Sequence, residues 1–200
     1  SIDAGMKTPG VCGQPWQNLV ANTGEATITG VNLELDYRVN EKFSFGFNME
    51  VKEAETGADP TGIVESGLAL PLSADTKGAL WLDYTWPSSQ WGSNFGFARF
   101  QYSKQGDIWN NLDGGSPSDS MNPRLRVPGY AIADARVGLQ GDDWEVSVFI
   151  NNLLDERAAY TYSGGQFLWG MGSSADGIDH HQLIYTNRPR EIGIRFTQSW

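Results

Sequence analysis

The sequence is poor in cysteine, histidine, basic charge and long apolar runs, and each shortage excludes a class of protein. One Cys and two His among 200 residues rule out an internal disulfide scaffold and a multi-thiolate zinc site. With 14 Lys+Arg against 24 Asp+Glu, the formal net charge is -10, which argues against nucleic acid as a partner because phosphate binding needs a basic surface. No run approaches the roughly 18–20 apolar residues of a membrane-spanning helix. Together with a mean hydropathy of -0.39, this composition and net charge are typical of an acidic soluble domain.

The N-terminus lacks the features of a secretory leader. The chain begins Ser1-Ile2-Asp3, without an initiator Met, a basic region or an apolar core, so we predict no signal peptide. We expect a chain that was processed or that is the downstream part of a longer protein. Cys12 lies in a Gly/Pro-rich segment, and whether it pairs with a cysteine upstream stays open.

Helical periodicity is also missing, and period-2 alternation takes its place. We count about seven runs of roughly ten residues, each with one apolar and one polar face, as expected for half-buried strands. The apolar positions of the seven runs are 31–37, 43–51, 80–86, 98–102, 133–139, 144–150 and 192–196.

Two tight hairpins fix the expected register. A turn at Asn40-Glu41-Lys42 places apolar residues opposite each other as Tyr37/Phe45, Leu35/Phe47, Leu33/Met49 and Val31/Val51. A two-residue turn at Gly141-Asp142, with Gly supplying a positive φ, gives Leu139/Trp144, Val137/Val146, Ala135/Val148 and Ala133/Ile150. In both hairpins the register keeps one face continuously apolar.

Short and long connections alternate along the chain. Short turns at 40–42, 87–91 and 141–142 separate long loops at 55–76, 104–128 and 155–188, which is the layout of an up-and-down outer-membrane barrel. Aromatic residues gather near the short turns, where an interface girdle would place them: Tyr37, Trp86, Trp91, Trp144 and Trp200. The alternative is a soluble β-sandwich whose tryptophans fill the core.

Three segments resemble the C-terminal barrel of TonB-dependent outer-membrane receptors. Asn22-Thr23-Gly24-Glu25-Ala26, followed by residues 30–35, is similar to the entry to a barrel strand. Residues 144–157, with Asn152-Leu153-Leu154-Asp155, resemble the penultimate strand, although Leu154 stands where Phe is usual. Residues 188–200, with Arg188-Pro189-Arg190 and the terminal Trp200, resemble the last strand, although Gln198 stands where a second aromatic residue is common.

The resemblance implies an all-β, antiparallel, up-and-down transmembrane barrel of about 22 strands with a plugged lumen. Residues 1–200 would be roughly the last third of it, about seven to eight strands, with no plug domain and with edges that must pair with strands outside this sequence. An assembly signal read by barrel-assembly machinery is then expected at Ile192, Ile194, Phe196 and Trp200.

The same resemblance implies a receptor and transporter for scarce nutrients in the outer membrane of a Gram-negative bacterium. Ferric siderophores are the commonest cargo of the family. The implied partners are the plug and earlier strands of the same protein, the TonB energy-transducing protein acting through that plug, and outer-membrane lipid. No cofactor is implied. A passive porin-like barrel and a soluble glycan-binding β-sandwich remain the alternatives.

The long loops are the expected ligand-binding region. Aromatic faces interleaved with amides and small residues suit a planar or sugar-like ligand, although exposed loops of any barrel are polar and Gly-rich. The candidate residues are Trp109, Asn110, Tyr160, Tyr162 and Trp169.

Catalytic and metal sites are poorly supported. His180 and His181 stand beside Asp176 and Asp179, but adjacent side chains of an extended segment point in opposite directions, so we favour a solvated loop over a metal site. The carboxylates of the strands alternate with arginines and lysines on the polar faces, which predicts a hydrated lumen wall with ion pairs. We expect neither catalysis nor a bound metal.

Overall fold

One antiparallel sheet of seven strands dominates the computed structural model, which describes residues 24–59, 65–112, 124–163 and 183–199. Each strand of this sheet lies next to the strand that comes before it in the chain among the seven. No helix within the described residues is long and apolar enough to cross a membrane. The strands of the sheet are β1 (Ala26–Arg38), β2 (Phe43–Thr56), β3 (Thr76–Pro87), β4 (Phe95–Gln105), β7 (Tyr130–Gln140), β8 (Trp144–Asn151) and β11 (Glu191–Gln198). Two small hairpins complete the fold, β5 (Ile108–Trp109) with β6 (Arg126–Val127) and β9 (Ala159–Ser163) with β10 (Leu183–Thr186).

The alternation of the sequence becomes two chemically different faces of this sheet. Directly paired residues share a face because successive side chains of a strand point to opposite sides. One row across all seven strands is therefore apolar: Tyr37, Phe45, Leu82, Phe100, Ala135, Ile150 and Ile192. The row one position along is polar on five of its seven strands: Arg38, Ser44, Asp83, Arg99, Arg136, Phe149 and Gly193. We call these sides the apolar face and the polar face.

The first hairpin has the predicted register. Tyr37 pairs with Phe45 and Val31 with Val51, so the four predicted pairs are confirmed. Asn40 sets the turn, because its Oδ1 accepts hydrogen bonds from the backbone N–H groups of Lys42 (2.8 Å) and Phe43 (2.9 Å), a side-chain turn that Asn favours.

The register predicted for the β7–β8 hairpin is wrong by two residues. Leu139 pairs with Val146, Val137 with Val148 and Ala135 with Ile150, so Ala133 does not face Ile150 and Leu139 does not face Trp144. The turn is Asp142-Asp143, because Gly141 N–H bonds the carbonyl of Trp144 at 2.9 Å and Gly141 does not adopt a positive φ. Glycine serves another purpose here: the Trp144 indole covers its α-carbon, where any β-carbon would collide with the ring.

The long connections contain structure of their own. The β5–β6 hairpin lies within the 104–128 loop and the β9–β10 hairpin within the 155–188 loop. In the 55–76 connection, Leu72 N–H bonds the carbonyl of Trp109 at 2.8 Å. Ala74, Ile108 and Val127 are buried together, with Ala159 packed against them. These connections therefore pack on each other at the long-loop end of the sheet.

Each of the two outer strands of the sheet, β1 and β11, has one edge without a partner among the described strands. Along β1 every residue is exposed, and on β11 the apolar side chains of Ile192, Ile194 and Phe196 are 69%, 76% and 64% exposed. The described strands form one large sheet with two accessory hairpins and not two sheets packed face to face. The sandwich alternative is therefore wrong for this part of the chain.

Candidate functional site

Ion pairs connect neighbouring strands on the polar face. Arg99 Nε lies 2.5 Å from Asp83 Oδ1, and Arg136 pairs with Glu145 while its Nε donates to Ser147 Oγ at 2.9 Å. Lys52 and Glu50 pair along one strand at 3.1 Å. The predicted polar wall with ion pairs is confirmed, and because most of these groups are partly exposed each pair contributes at most about 1 kcal/mol.

Aromatic rings on the polar face lie over glycines and under arginines. The indole of Trp81 occupies the space above Gly46, and a Phe149 ring edge does the same above Gly193. Arg136 stands over Phe97 at 5.4 Å and Arg195 over Phe149 at 5.6 Å from the ring centroids. Cation–π contacts of this kind hold long cationic side chains against the wall.

The long-loop end encloses a cleft of about 830 Å³ between the ends of β3, β4 and β7 and the β5–β6 hairpin. Its walls combine three aromatic rings with charges of both signs, a composition suited to orienting a polar ligand of moderate size. The aromatic and charged residues lining it are Tyr102, Trp109, Tyr130, Lys104, Arg126, Asp75, Asp107 and Glu156.

Trp109, predicted as a ligand contact, lines this cleft and is held by Arg124. The Arg124 guanidinium carbon lies 4.2 Å from the indole centroid, and its Nη2 donates to the carbonyl of Ala69 at 3.3 Å. Asn110, predicted beside it, closes the hairpin: its backbone N–H bonds the carbonyl of Leu125 (3.0 Å), and its Oδ1 accepts from the Leu125 N–H (2.6 Å). Asn110 therefore positions the strand that carries Trp109.

Asp107 anchors the start of the β5–β6 hairpin. Its Oδ1 accepts a hydrogen bond of 2.6 Å from Gly129 N–H, and its other oxygen pairs with Arg126. The Gly129 N–H and then the Arg126 guanidinium hold the pKa of the Asp107 carboxyl below its usual range. The carboxylate therefore stays charged well into acidic solution.

Asn152 organises the segment after β8, in the motif that resembles the penultimate strand. It is 4% exposed and has a φ of 53°, the left-handed region that Asn tolerates better than most residues. Its Nδ2 donates to the carbonyls of Glu156 (2.9 Å) and Arg188 (3.1 Å), while its Oδ1 accepts from Glu156 N–H (2.9 Å). Asn187 Nδ2 reaches the same Glu156 carbonyl at 2.9 Å. The segments that enter and leave the β9–β10 hairpin are thus joined at one buried amide.

The remaining ligand candidates fall partly outside the described residues. Tyr160 lies 5.4 Å, centroid to centroid, from the cleft residue Tyr130. The backbone of Tyr162 pairs with Ile184 in the β9–β10 hairpin. Trp169, His180, His181 and Cys12 lie outside the described residues. In the part that the structure describes, no group of three or more His, Cys, Asp or Glu could hold a metal ion.

Four of the five predicted girdle residues lie at the short-turn end of the sheet. Tyr37 is 55% and Trp91 83% exposed, and the Trp86 indole covers Gly96 on the next strand as Trp144 covers Gly141. Trp200 lies outside the described residues. The structure thus puts these four aromatic residues at the same end of the sheet. Their contact with lipid stays a prediction.

Sequence reasoning missed Arg124, Arg126, Tyr130 and Asn152. Arg124 meets Trp109, and Arg126 reaches the cleft, only through the folding of a long connection, for which the alternation gives no signal. Tyr130 lines the cleft from the first position of β7. The sequence did indicate a role for Asn152, because an Asn directly after an alternating run often ends a strand by adopting the left-handed backbone conformation.

Comparison with known proteins identifies one family and several solved structures of similar fold. A family model described as "TonB dependent receptor-like, beta-barrel" matches residues 2–153. No curated protein sequence matches. Among solved structures, the ferric yersiniabactin uptake receptor FyuA from Yersinia pestis is similar with a TM-score of 0.68 and 21% identity, over 88% of this chain and 24% of that one. The siderophore receptor PiuA from Acinetobacter baumannii is similar with a TM-score of 0.59 and 13% identity, over 86% of this chain and 22% of that one. The chain thus spans about a quarter of the length of these structures.

Proposed function

Because the chain belongs to the family of TonB-dependent receptor-like β-barrels, we propose that it is part of an outer-membrane transporter of ferric siderophores in a Gram-negative bacterium. The seven-stranded sheet would be a section of the barrel wall, with its apolar face towards lipid and its polar face towards the lumen. The short turns would then face the periplasm and the long connections the outside. A plug and further strands of the same protein, and TonB acting through the plug, would complete the transporter.

The cleft at the long-loop end is the observation that carries the ligand proposal. Its aromatic rings and paired charges lie at the end where external ligands arrive, and the hydrogen bonds of Asn110 and Asp107 hold its walls in place. A siderophore complex offers both rings or chelate planes and charged oxygens, which suit such walls. Among the solved structures with a similar fold, one is named a ferric yersiniabactin uptake receptor and another a siderophore receptor, which favours this nutrient over others.

Uptake of radioactive iron bound to siderophores tests the proposal in cells that carry the intact receptor and no other route for that siderophore. We expect uptake that stops when TonB is removed, and weaker binding with Trp109→Ala. Trp91→Ala is the matched control, since Trp91 lies at the opposite end of the sheet and is 83% exposed. Uptake that continues without TonB would instead favour the passive porin-like alternative, and equal effects of both substitutions would remove Trp109 from the site.

We also propose that β11 supplies the assembly signal. Ile192, Ile194 and Phe196 form an exposed apolar row on one side of this edge strand, so the row is available to barrel-assembly machinery; Trp200 would extend it. Phe196→Ala should lower the amount of heat-modifiable receptor in the outer membrane, whereas Thr197→Ala on the other face should not. Equal amounts for both variants would contradict the signal.

A further inference from the structure

Two arginines flank the indole of Trp109 on the β5–β6 hairpin. Arg126 is the direct partner of Trp109 in the ladder, so the two side chains leave the hairpin on the same face. Arg124 stands over the ring, with its guanidinium carbon 4.2 Å from the centroid. One carboxylate, that of Asp107, pairs with Arg126 and balances one of the two cations. The hairpin therefore carries a surplus positive charge beside the cleft, in a chain whose formal net charge is -10.

The charge of Arg124 has no anionic partner among the described residues. Its Nη2 donates to the carbonyl of Ala69 at 3.3 Å, and its Nε is buried without a hydrogen-bond partner. The other charged residues that line the cleft are Asp75, Lys104 and Glu156, and in the described part of the chain none of them forms an ion pair with Arg124. Because buried donors are almost always bonded in native proteins, an unbonded one needs an explanation. An anionic oxygen of a ligand would supply the acceptor.

The cation above Trp109 also changes what the ring can receive. An aromatic ring is negative on its faces and positive at its edge, and a guanidinium over one face draws that negative charge towards itself. The rest of the ring surface then accepts an electron-rich or anionic plane better than a further cation. The guanidinium in turn offers a planar fork of N–H donors that matches paired anionic oxygens. An aromatic ring with ionised oxygens meets both requirements in one chemical group.

We propose that Trp109 and Arg124 form a subsite for an anionic aromatic chelating group, a catecholate or phenolate, of the ferric complex. The inference rests on the proposed siderophore cargo and narrows it to complexes with such donors. Arg124 can turn to the ligand at small cost, because its one hydrogen bond in the described part of the chain, to the Ala69 carbonyl, is long at 3.3 Å. Trihydroxamate complexes, which are neutral and non-aromatic, match neither half of the subsite.

Binding of two radioactive iron complexes to the intact receptor in detergent tests the subsite. One probe is the ferric complex of a tris-catecholate, which is anionic, and the other is the neutral ferric complex of a trihydroxamate. Wild type should bind the catecholate complex more tightly. Arg124→Gln should weaken that binding by about 10–100-fold, the factor that corresponds to one hydrogen bond to a charged group. Its affinity for the hydroxamate complex should stay within about twofold of wild type.

Trp109→Leu supplies the second variant, since it removes the ring and keeps an apolar side chain, and it should weaken the catecholate complex alone. Arg188→Gln is the matched control, because the Arg188 side chain lies at the same end of the sheet, is 86% exposed and does not line the cleft. It should leave both affinities unchanged. The Leu125 N–H, which bonds Asn110 Oδ1, should keep its protection from hydrogen exchange in every variant, which separates loss of the subsite from loss of the hairpin.

Four results would overturn the subsite. They are equal weakening of both complexes by Arg124→Gln, no response to that substitution, weakening that comes with lost protection of the Leu125 N–H, and tighter binding of the hydroxamate complex by wild type. Binding of neither complex to wild type would instead refute the siderophore cargo, and the subsite with it.

Discussion

Replacing Asn152 by Ala should detach the segment between β8 and β11 from the sheet. The substitution removes three side-chain hydrogen bonds, those between the Asn152 amide and the carbonyls of Glu156 and Arg188 and the Glu156 N–H. It leaves the bond from Asn152 N–H to Asp134 Oδ1 (2.8 Å) in place, so the strand end itself stays attached to β7.

The magnitude follows from the lost bonds and the backbone conformation. Each neutral hydrogen bond contributes about 0.5–1.5 kcal/mol net, so three contribute about 1.5–4.5 kcal/mol. Glu156 O retains the bond from Asn187 Nδ2, which places the loss in the middle of this range. Alanine also tolerates a φ near 53° less well than asparagine, at a cost of about 1 kcal/mol. We expect the free energy of local opening to fall by about 3–4 kcal/mol.

Hydrogen exchange of the intact receptor measures this opening. The amides of Glu156 and Ala158, which bond Asn152 Oδ1 and Asn187 Oδ1, should exchange about 10²–10³-fold faster in the variant, since each 1.4 kcal/mol is a factor of ten when exchange reports the opening equilibrium. Amides in the middle of β7 should not change.

Asn151→Ala is the matched control, because Asn151 is the same residue type one position earlier and is exposed. It should change exchange by no more than about twofold, as expected for a surface position. Equal acceleration in both variants, or none in Asn152→Ala, would refute the assignment of Asn152 as the organising residue of this segment.

Three further predictions concern the faces, the turn and the hairpin. Val148→Arg, on the apolar face, should lower the free energy of unfolding of the receptor in lipid, measured in denaturant, by about 2–4 kcal/mol at mid-membrane depth. Gln101 is exposed on the polar face opposite Asp134, so Gln101→Arg should change the same free energy by less than about 1 kcal/mol. The neighbouring Ser147 would be an unsuitable control because it is 2% exposed and bonded to Arg136. Gly141→Ala should displace the Trp144 indole and shift its fluorescence. Gly78→Ala is the control, because a β-carbon there would meet the Asn48 carbonyl at 3.1 Å and no aromatic ring, so it should leave that emission unchanged. Asp107→Asn should increase protease cleavage within the 104–128 connection at pH 7. The pKa of Asp107 is lowered on folding, so the stabilisation by its carboxylate is present above the ordinary pKa of an aspartate and is lost as the pH falls through the lowered value. The cleavage rates of wild type and variant should therefore become equal only in strong acid.

The sheet could be predicted from the sequence because two signals agree along most of its length. Apolar alternation fixes which side chains share a face, and at Asn40 a specific turn residue also fixes the register of β1 and β2. At the β7–β8 hairpin only the first signal was correct. A slip of two residues keeps every side chain on its face, so the apolar pattern could not distinguish the observed register, and Gly141 was misread as a turn residue.

The cleft could be predicted only in part. Trp109 was recognised by its residue type in a long connection, but its partner Arg124 lies fifteen positions away and meets it through the β5–β6 hairpin. Residue pairs that depend on how loops fold leave no periodic trace in a single sequence.

The orientation of the two faces is the claim on which the account depends most. It is measured directly by placing a nitroxide label at each position from 98 to 103 of the intact receptor in membranes, with Cys12 replaced by Ser, and comparing accessibility to oxygen with accessibility to a water-soluble nickel chelate. We predict oxygen maxima at Ala98 and Phe100 and chelate maxima at Arg99, Gln101 and Ser103; Tyr102 lines the cleft and is left out of the comparison. Equal accessibility at both sets of positions, or the reverse alternation, would contradict it.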